Sequence, residues 1–233
     1  MTSSRKTASE IALEQQTPIT EFEQCGIKEA PGPHRELFAQ ERGTTNFEVE
    51  ADFATLESDT ESWADESLES LSSYIVNNHH AYAKRELPKL VRLAQEVAHL
   101  YGSTETELPA IAAALDKLHG DLTAHLAKDE MVLFPFIEDL ERDLSTGFAL
   151  PHLCFELVAN TVAKMTREHD SAGTLLVEIR KLSHNFAASE AAGPGVHSFY
   201  DGLKELDLDL HRSIRMENDV LFPRALALEN PAF

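Results

Sequence analysis

The sequence predicts an all-α protein, an up-and-down four-helix bundle behind a small helical N-terminal domain. Three observations carry this. Apolar residues recur at helical spacing through four long stretches, separated by breaks rich in glycine or proline. No segment alternates apolar and polar residues over the length of a strand. The second and fourth stretches share a motif: Asp129-Glu130-Met131-Val132-Leu133-Phe134-Pro135 returns as Glu217-Asn218-Asp219-Val220-Leu221-Phe222-Pro223, 88 residues later. Such an internal repeat is how a bundle acquires a pseudo-twofold core.

The chain is expected to divide near residue 60. Residues 1–60 are read as a small domain of short helices and an acidic linker, because Pro18, Gly26, Pro31-Gly32-Pro33 and Gly43 interrupt every apolar stretch. Residues 61–233 are read as the bundle. Its first helix runs from about Asp65 to Tyr101 on Leu68, Leu71, Ile75, Leu87, Leu90, Leu93 and Val97, with a kink at Pro88. The second starts between Glu105 and Pro109, turns Ile111, Leu115, Leu118, Leu122, His125, Asp129 and Val132 inward, and bends at Pro135 before ending near Leu144. A third covers roughly Pro151 to Ala188 through Leu157, Val162, Met165, His169, Leu176 and Ile179. After Gly193-Pro194-Gly195 a fourth runs to about Leu228 through Phe199, Leu203, Leu206, Leu210, Glu217 and Leu221.

With 40 acidic against 20 basic residues the formal net charge is −20, which argues against nucleic acid or an anionic membrane surface as partner. No run of about 18 apolar residues occurs and Met1 to Lys6 lacks the apolar stretch of a signal peptide, so a cytoplasmic location is expected. Cys25 and Cys154 are too few for a disulfide framework.

The repeat also organises the candidate ligands. His125 and Asp129 stand one helical turn apart, which lets both side chains reach one metal ion. In the second copy the carboxylate returns as Glu217, while Ser213 stands where the histidine would be. His79-His80 and Glu168-His169 are related by nearly the same interval, 89 residues. A core histidine is commonly just hydrogen-bonded, and an i, i+4 pair is common on exposed helices. Recurrence in both halves favours a dinuclear site, with His80, His125 and His169 as terminal ligands and Asp129 and Glu217 as bridges. Glu130 lies one residue off this face.

At the end of the first helix the choice is between His99 and Tyr101. At about 100° per residue, Tyr101 falls within about 60° of the His80 face and His99 about 100° from it. Tyr101 is therefore the sixth candidate ligand. Its phenolate is a hard donor suited to ferric iron, and packing of the ring is the alternative. The Ser213 hydroxyl is a poor ligand at neutral pH, and His211 points about 200° away from it around the helix. His119, His152, His184 and His197 have no repeat partner and are read as structural or solvated. Histidine nitrogen with carboxylate and phenolate oxygen favours iron or manganese over a thiolate-type metal, without excluding zinc. Iron is the leading reading. One iron would keep a water or an open position for dioxygen, peroxide or nitric oxide.

The same residues carry a resemblance. His80, His125 with the carboxylate four residues on, Glu168-His169-Asp170 and Glu217 to Ala225 resemble the repair of iron centres family, whose bundle is haemerythrin-like. Phe22, Gly26-Ile27, Gly32 and Leu37 to Gly43 resemble its N-terminal domain. The resemblance implies a cytosolic protein that helps restore iron-sulfur clusters damaged by nitric oxide or peroxide. Its cofactor would be two iron ions in a non-haem di-iron centre, with or without an oxo bridge. Iron-sulfur proteins would be its clients, and nitric oxide, dioxygen or peroxide its small-molecule partners. Family ligands map directly onto His80, His125, His169 and Glu217. Tyr101 and Ser213 occupy family histidine positions and Asp129 a family glutamate position, while Ala30-Pro31 replaces a family cysteine pair.

Three classes of function fit. The leading one is a di-iron stress protein that binds oxidants or nitric oxide and donates iron. An enzyme reducing nitric oxide or peroxide at the same centre would need an external electron donor, because no flavin, nicotinamide or cysteine-rich motif occurs. The third is a sensor module whose degraded site holds one metal or none.

Overall fold

The computed structural model describes Trp63 and residues 65–147, 152–190 and 192–228. The expected N-terminal domain, with Cys25 and Ala30-Pro31, lies outside the described residues. Every regular element among those described is helical, and they follow the four expected stretches. In the first, α1 (Leu68–Ile75) passes through a π-helical turn, Val76–His80, into α2 (Ala81–Tyr101). The second is α3 (Leu108–Lys128), a π turn Asp129–Leu133, and α4 (Phe134–Ser145). The third is α5 (His152–Leu182). The fourth is α6 (Pro194–Arg215), a π turn Met216–Leu221, and α7 (Phe222–Ala227). The chain is an all-α four-helix bundle protein. Among the described residues no helix is long and apolar enough to cross a membrane.

Proline places several of these elements. Pro109 sits in the first turn of α3 and Pro194 opens α6, where a missing N–H costs nothing because those amides have no partner within the helix. Pro88 lies inside α2 without ending it. Pro135 and Pro223 follow the second and third π turns. Each deprives the carbonyl four residues earlier, Met131 or Asp219, of its α-helical donor, and the ring crowds that carbonyl. A wider turn relieves both, and Phe222 N–H accordingly bonds to Glu217 O, five residues back. The first π turn has a different cause. Asn78 Nδ2 donates to Tyr74 O at 2.9 Å, competing for a carbonyl of the helical ladder, and Ala81 N–H reaches back to Val76 O.

The π turn after Lys128 shifts the inward face. Val132, expected in the core, is 41% exposed, and Leu133 and Phe134 are buried in its place.

The described chain packs as two compact units. One comprises residues 73–129 and 165–214. Here α2 packs on α3, and Leu87, Ala94, Ile111, Leu115, Leu118, Leu176, Phe199 and Leu203 lie in one buried cluster. The other contains residues 65–72, 130–164 and 215–228, with Leu68, Leu71, Phe134, Ile137, Val158, Leu221 and Phe222 buried. In this second unit the Glu141 carboxylate accepts the backbone N–H groups of Leu68, at 3.0 Å, and of Glu69, satisfying donors that the start of α1 leaves open. Arg224 donates to the carbonyl oxygens of Trp63 and Glu66 at 2.9 and 2.5 Å.

Candidate metal centre

Four expected ligands come together within the unit of residues 73–129 and 165–214. His80 ends the first π turn and Asp129 begins the second, while His125 lies one turn before Asp129 and His169 sits on α5. All are buried: His80 is 1% exposed, His125 4%, Asp129 0% and His169 3%. The Nε2 atoms of His125 and His169 stand 2.9 Å apart. His125 Nε2 is also 3.1 Å from Asp129 Oδ2. His80 and Asp129 each offer a ligand atom within 4.8 Å of the other.

His125 is oriented from behind. Its Nδ1–H donates to Glu168 Oε2 at 3.0 Å. An ionised carboxylate only accepts, so this bond places the proton on Nδ1 and turns the Nε2 lone pair inward. Lys128 Nζ donates to the other oxygen of Glu168 at 2.6 Å. Burial pushes the Glu168 carboxyl up, but the hydrogen bonds and charges of Lys128 and His125 outweigh it and hold the group below its usual range. Glu168 therefore stays ionised at neutral pH.

These residues fit a metal ion. A lone pair facing a buried carboxylate oxygen and a second imidazole nitrogen calls for positive charge at their focus, since buried charge is tolerated only when compensated. Two nitrogens each about 2.1 Å from one ion stand about 3 Å apart when they subtend a right angle, and the His125 and His169 nitrogens have that spacing. Imidazole nitrogen with carboxylate oxygen suits iron, manganese or zinc better than a soft thiolate-binding metal.

The remaining candidates divide. Glu217 belongs to the other unit, where it is 1% exposed on the third π turn. Ser213 is 5% exposed near the end of α6. Tyr101 is not part of this cluster. It closes α2, so 21 residues separate it from His80, and at about 1.5 Å per residue the two stand about 30 Å apart. Its ring packs on the hydrophobic core against Gly193, where an added Cβ would lie 2.6 Å from the phenol oxygen. The face is as expected, with His99 exposed and Tyr101 turned in. The ligand role fails because angle alone ignores rise along the axis. His184 and His197 are exposed, His119 is half-buried, and His211 Nδ1–H donates to Asp207 O at 2.7 Å.

Two functional contacts escaped the sequence reading. One is the Lys128–Glu168–His125 chain, and the other pairs His79 Nδ1 with Asp209 Oδ1 at 2.8 Å. Neither left a signal in the sequence, because each joins side chains far apart along the chain, 43 residues for His125 and Glu168 and 130 for His79 and Asp209.

The hemerythrin HHE cation binding domain family matches residues 72–225. The iron-sulfur cluster repair proteins YtfE of Yersinia pseudotuberculosis serotype IB (strain PB1/+) and Yersinia pestis (strain Pestoides F) are each 31% identical over 181 residues, 76% of this chain and 76% of theirs.

Proposed function

Because the chain belongs to the iron-sulfur cluster repair family with a hemerythrin HHE cation binding domain, we propose that it binds iron in its bundle and serves in the repair of iron-sulfur clusters. In the finer reading the centre is a non-haem di-iron site. His80, His125 and His169 are terminal ligands, Asp129 and Glu217 are bridging carboxylates, and the damage repaired is that done by nitric oxide or oxidants. Bound iron would supply electrons and Lewis acidity toward nitric oxide, dioxygen or peroxide. The clients are iron-sulfur proteins, and the setting is the cytoplasm.

The observation that carries this reading is that His169 Nε2 and Asp129 Oδ2 both lie within 3.1 Å of His125 Nε2. Glu217 is supported by its burial and by its place opposite Asp129 in the repeat. The chain's own groups do the positioning. Glu168 fixes the His125 tautomer, Lys128 keeps Glu168 charged, and the burial of His125, Asp129 and His169 keeps bulk water from the donors.

Metal analysis with an absorption spectrum tests the proposal. After anaerobic reconstitution with ferrous iron the protein is expected to retain about two ions per chain, and His125→Ala and His169→Ala should each lower that content. Retention of less than one ion per chain, or a marked preference for zinc, would overturn the reading.

A further inference from the structure

We propose that the two metal positions of the centre are unequal, and that the ion served by His80 is the exchangeable one. This rests on the di-iron reading above. The repeat maps His125 onto Ser213 and His169 onto His80. His125 and His169 are direct neighbours, Nε2 to Nε2 at 2.9 Å. By the same twofold relation the counterpart pair is Ser213 and His80. One ion therefore receives two imidazole nitrogens and the other receives one, because a serine hydroxyl retains its proton at neutral pH and is a weak donor to iron.

The support behind the ligands differs in the same direction. Glu168 orients His125, whereas its repeat counterpart is His79, which is bonded to Asp209 at 2.8 Å. Asp209 lies one turn before Ser213 on α6. The second position thus lacks the nitrogen donor that His125 supplies to the first. Loss of an outer partner alone weakens metal binding about 10–100-fold, and loss of a donor weakens it at least as much. The ion on His125 and His169 stays with the bundle, and the ion on His80 is the one a depleted cluster or a competing small ligand removes.

The test uses the full-length protein loaded anaerobically with two equivalents of ferrous iron and challenged with excess ferrous chelator, with release followed by absorbance. One equivalent is expected to leave at least about tenfold faster than the other. His80→Ala should abolish only the fast phase, and Ser213→His should merge both ions into the slow phase. A single phase releasing both ions from the unaltered protein, or a fast phase that survives in His80→Ala, overturns the inequality and leaves the di-iron reading standing. A protein that retains less than one ion before the challenge overturns the di-iron reading itself, and the inequality with it.

Discussion

At the scale of single residues, Glu168 decides how His125 presents itself. Replacing it by leucine removes the acceptor for His125 Nδ1–H and strands Lys128. Metal affinity, measured by chelator competition, should fall about 10–100-fold. Glu168→Gln, which keeps an acceptor oxygen but not the charge, should fall less. Wild-type affinity in Glu168→Leu would reduce the residue to a surface partner of Lys128. His125, Asp129 and His169 were legible as candidates because the carboxylate before Val-Leu-Phe-Pro returns in both halves and His80 recurs as His169 at nearly the same interval. The role of Glu168 was not, since an outer partner is defined by a contact across 43 residues of chain that no local spacing encodes. Tyr101 shows the limit from the other side. A helical wheel keeps angle and discards height, so a residue can share a face with His80 and remain out of reach.

At the scale of elements, the π turns decide where the carboxylates point. Asp129 and Glu217 lie in the two turns that precede Phe134-Pro135 and Phe222-Pro223. Pro135→Ala returns an N–H that can bond to Met131 O and draw the turn back toward α-helical pitch. The expected outcome is unchanged far-ultraviolet circular dichroism with weaker retention of metal. Full retention would mean that packing, rather than the proline, holds the turn open. The four helices were legible because a 3.6-residue apolar period persists over many turns. A single widened turn shifts the phase by about one residue, or about 100°, but the unbroken apolar run Met131 to Phe134 hides that shift from the period. Val132 was therefore placed inward when Leu133 takes the buried position.

At the scale of the whole molecule, buried carboxylates in a chain of net charge −20 tie stability to bound cations. If metal binds only the folded state, ferrous iron at 100 times its Kd should add about 2.7 kcal/mol to the unfolding free energy. Chelation should lower the midpoint of thermal unfolding. A midpoint indifferent to metal would mean that the folded bundle does not depend on bound cations. The fold class and the bundle half of the chain were legible in composition and period, whereas the interrupted pattern of residues 1–60 specifies no comparable core. The fastening of Trp63 and Glu66 to Arg224, and of α1 to Glu141, also gives the molecule a load path. A tug on the N-terminal segment meets these bonds first, in the unit that does not carry His80, His125, Asp129 or His169. Tension entering at Trp63 would be borne first by its bond to Arg224 on α7, and α1 would part from α4 only when the bonds to Glu141 gave way.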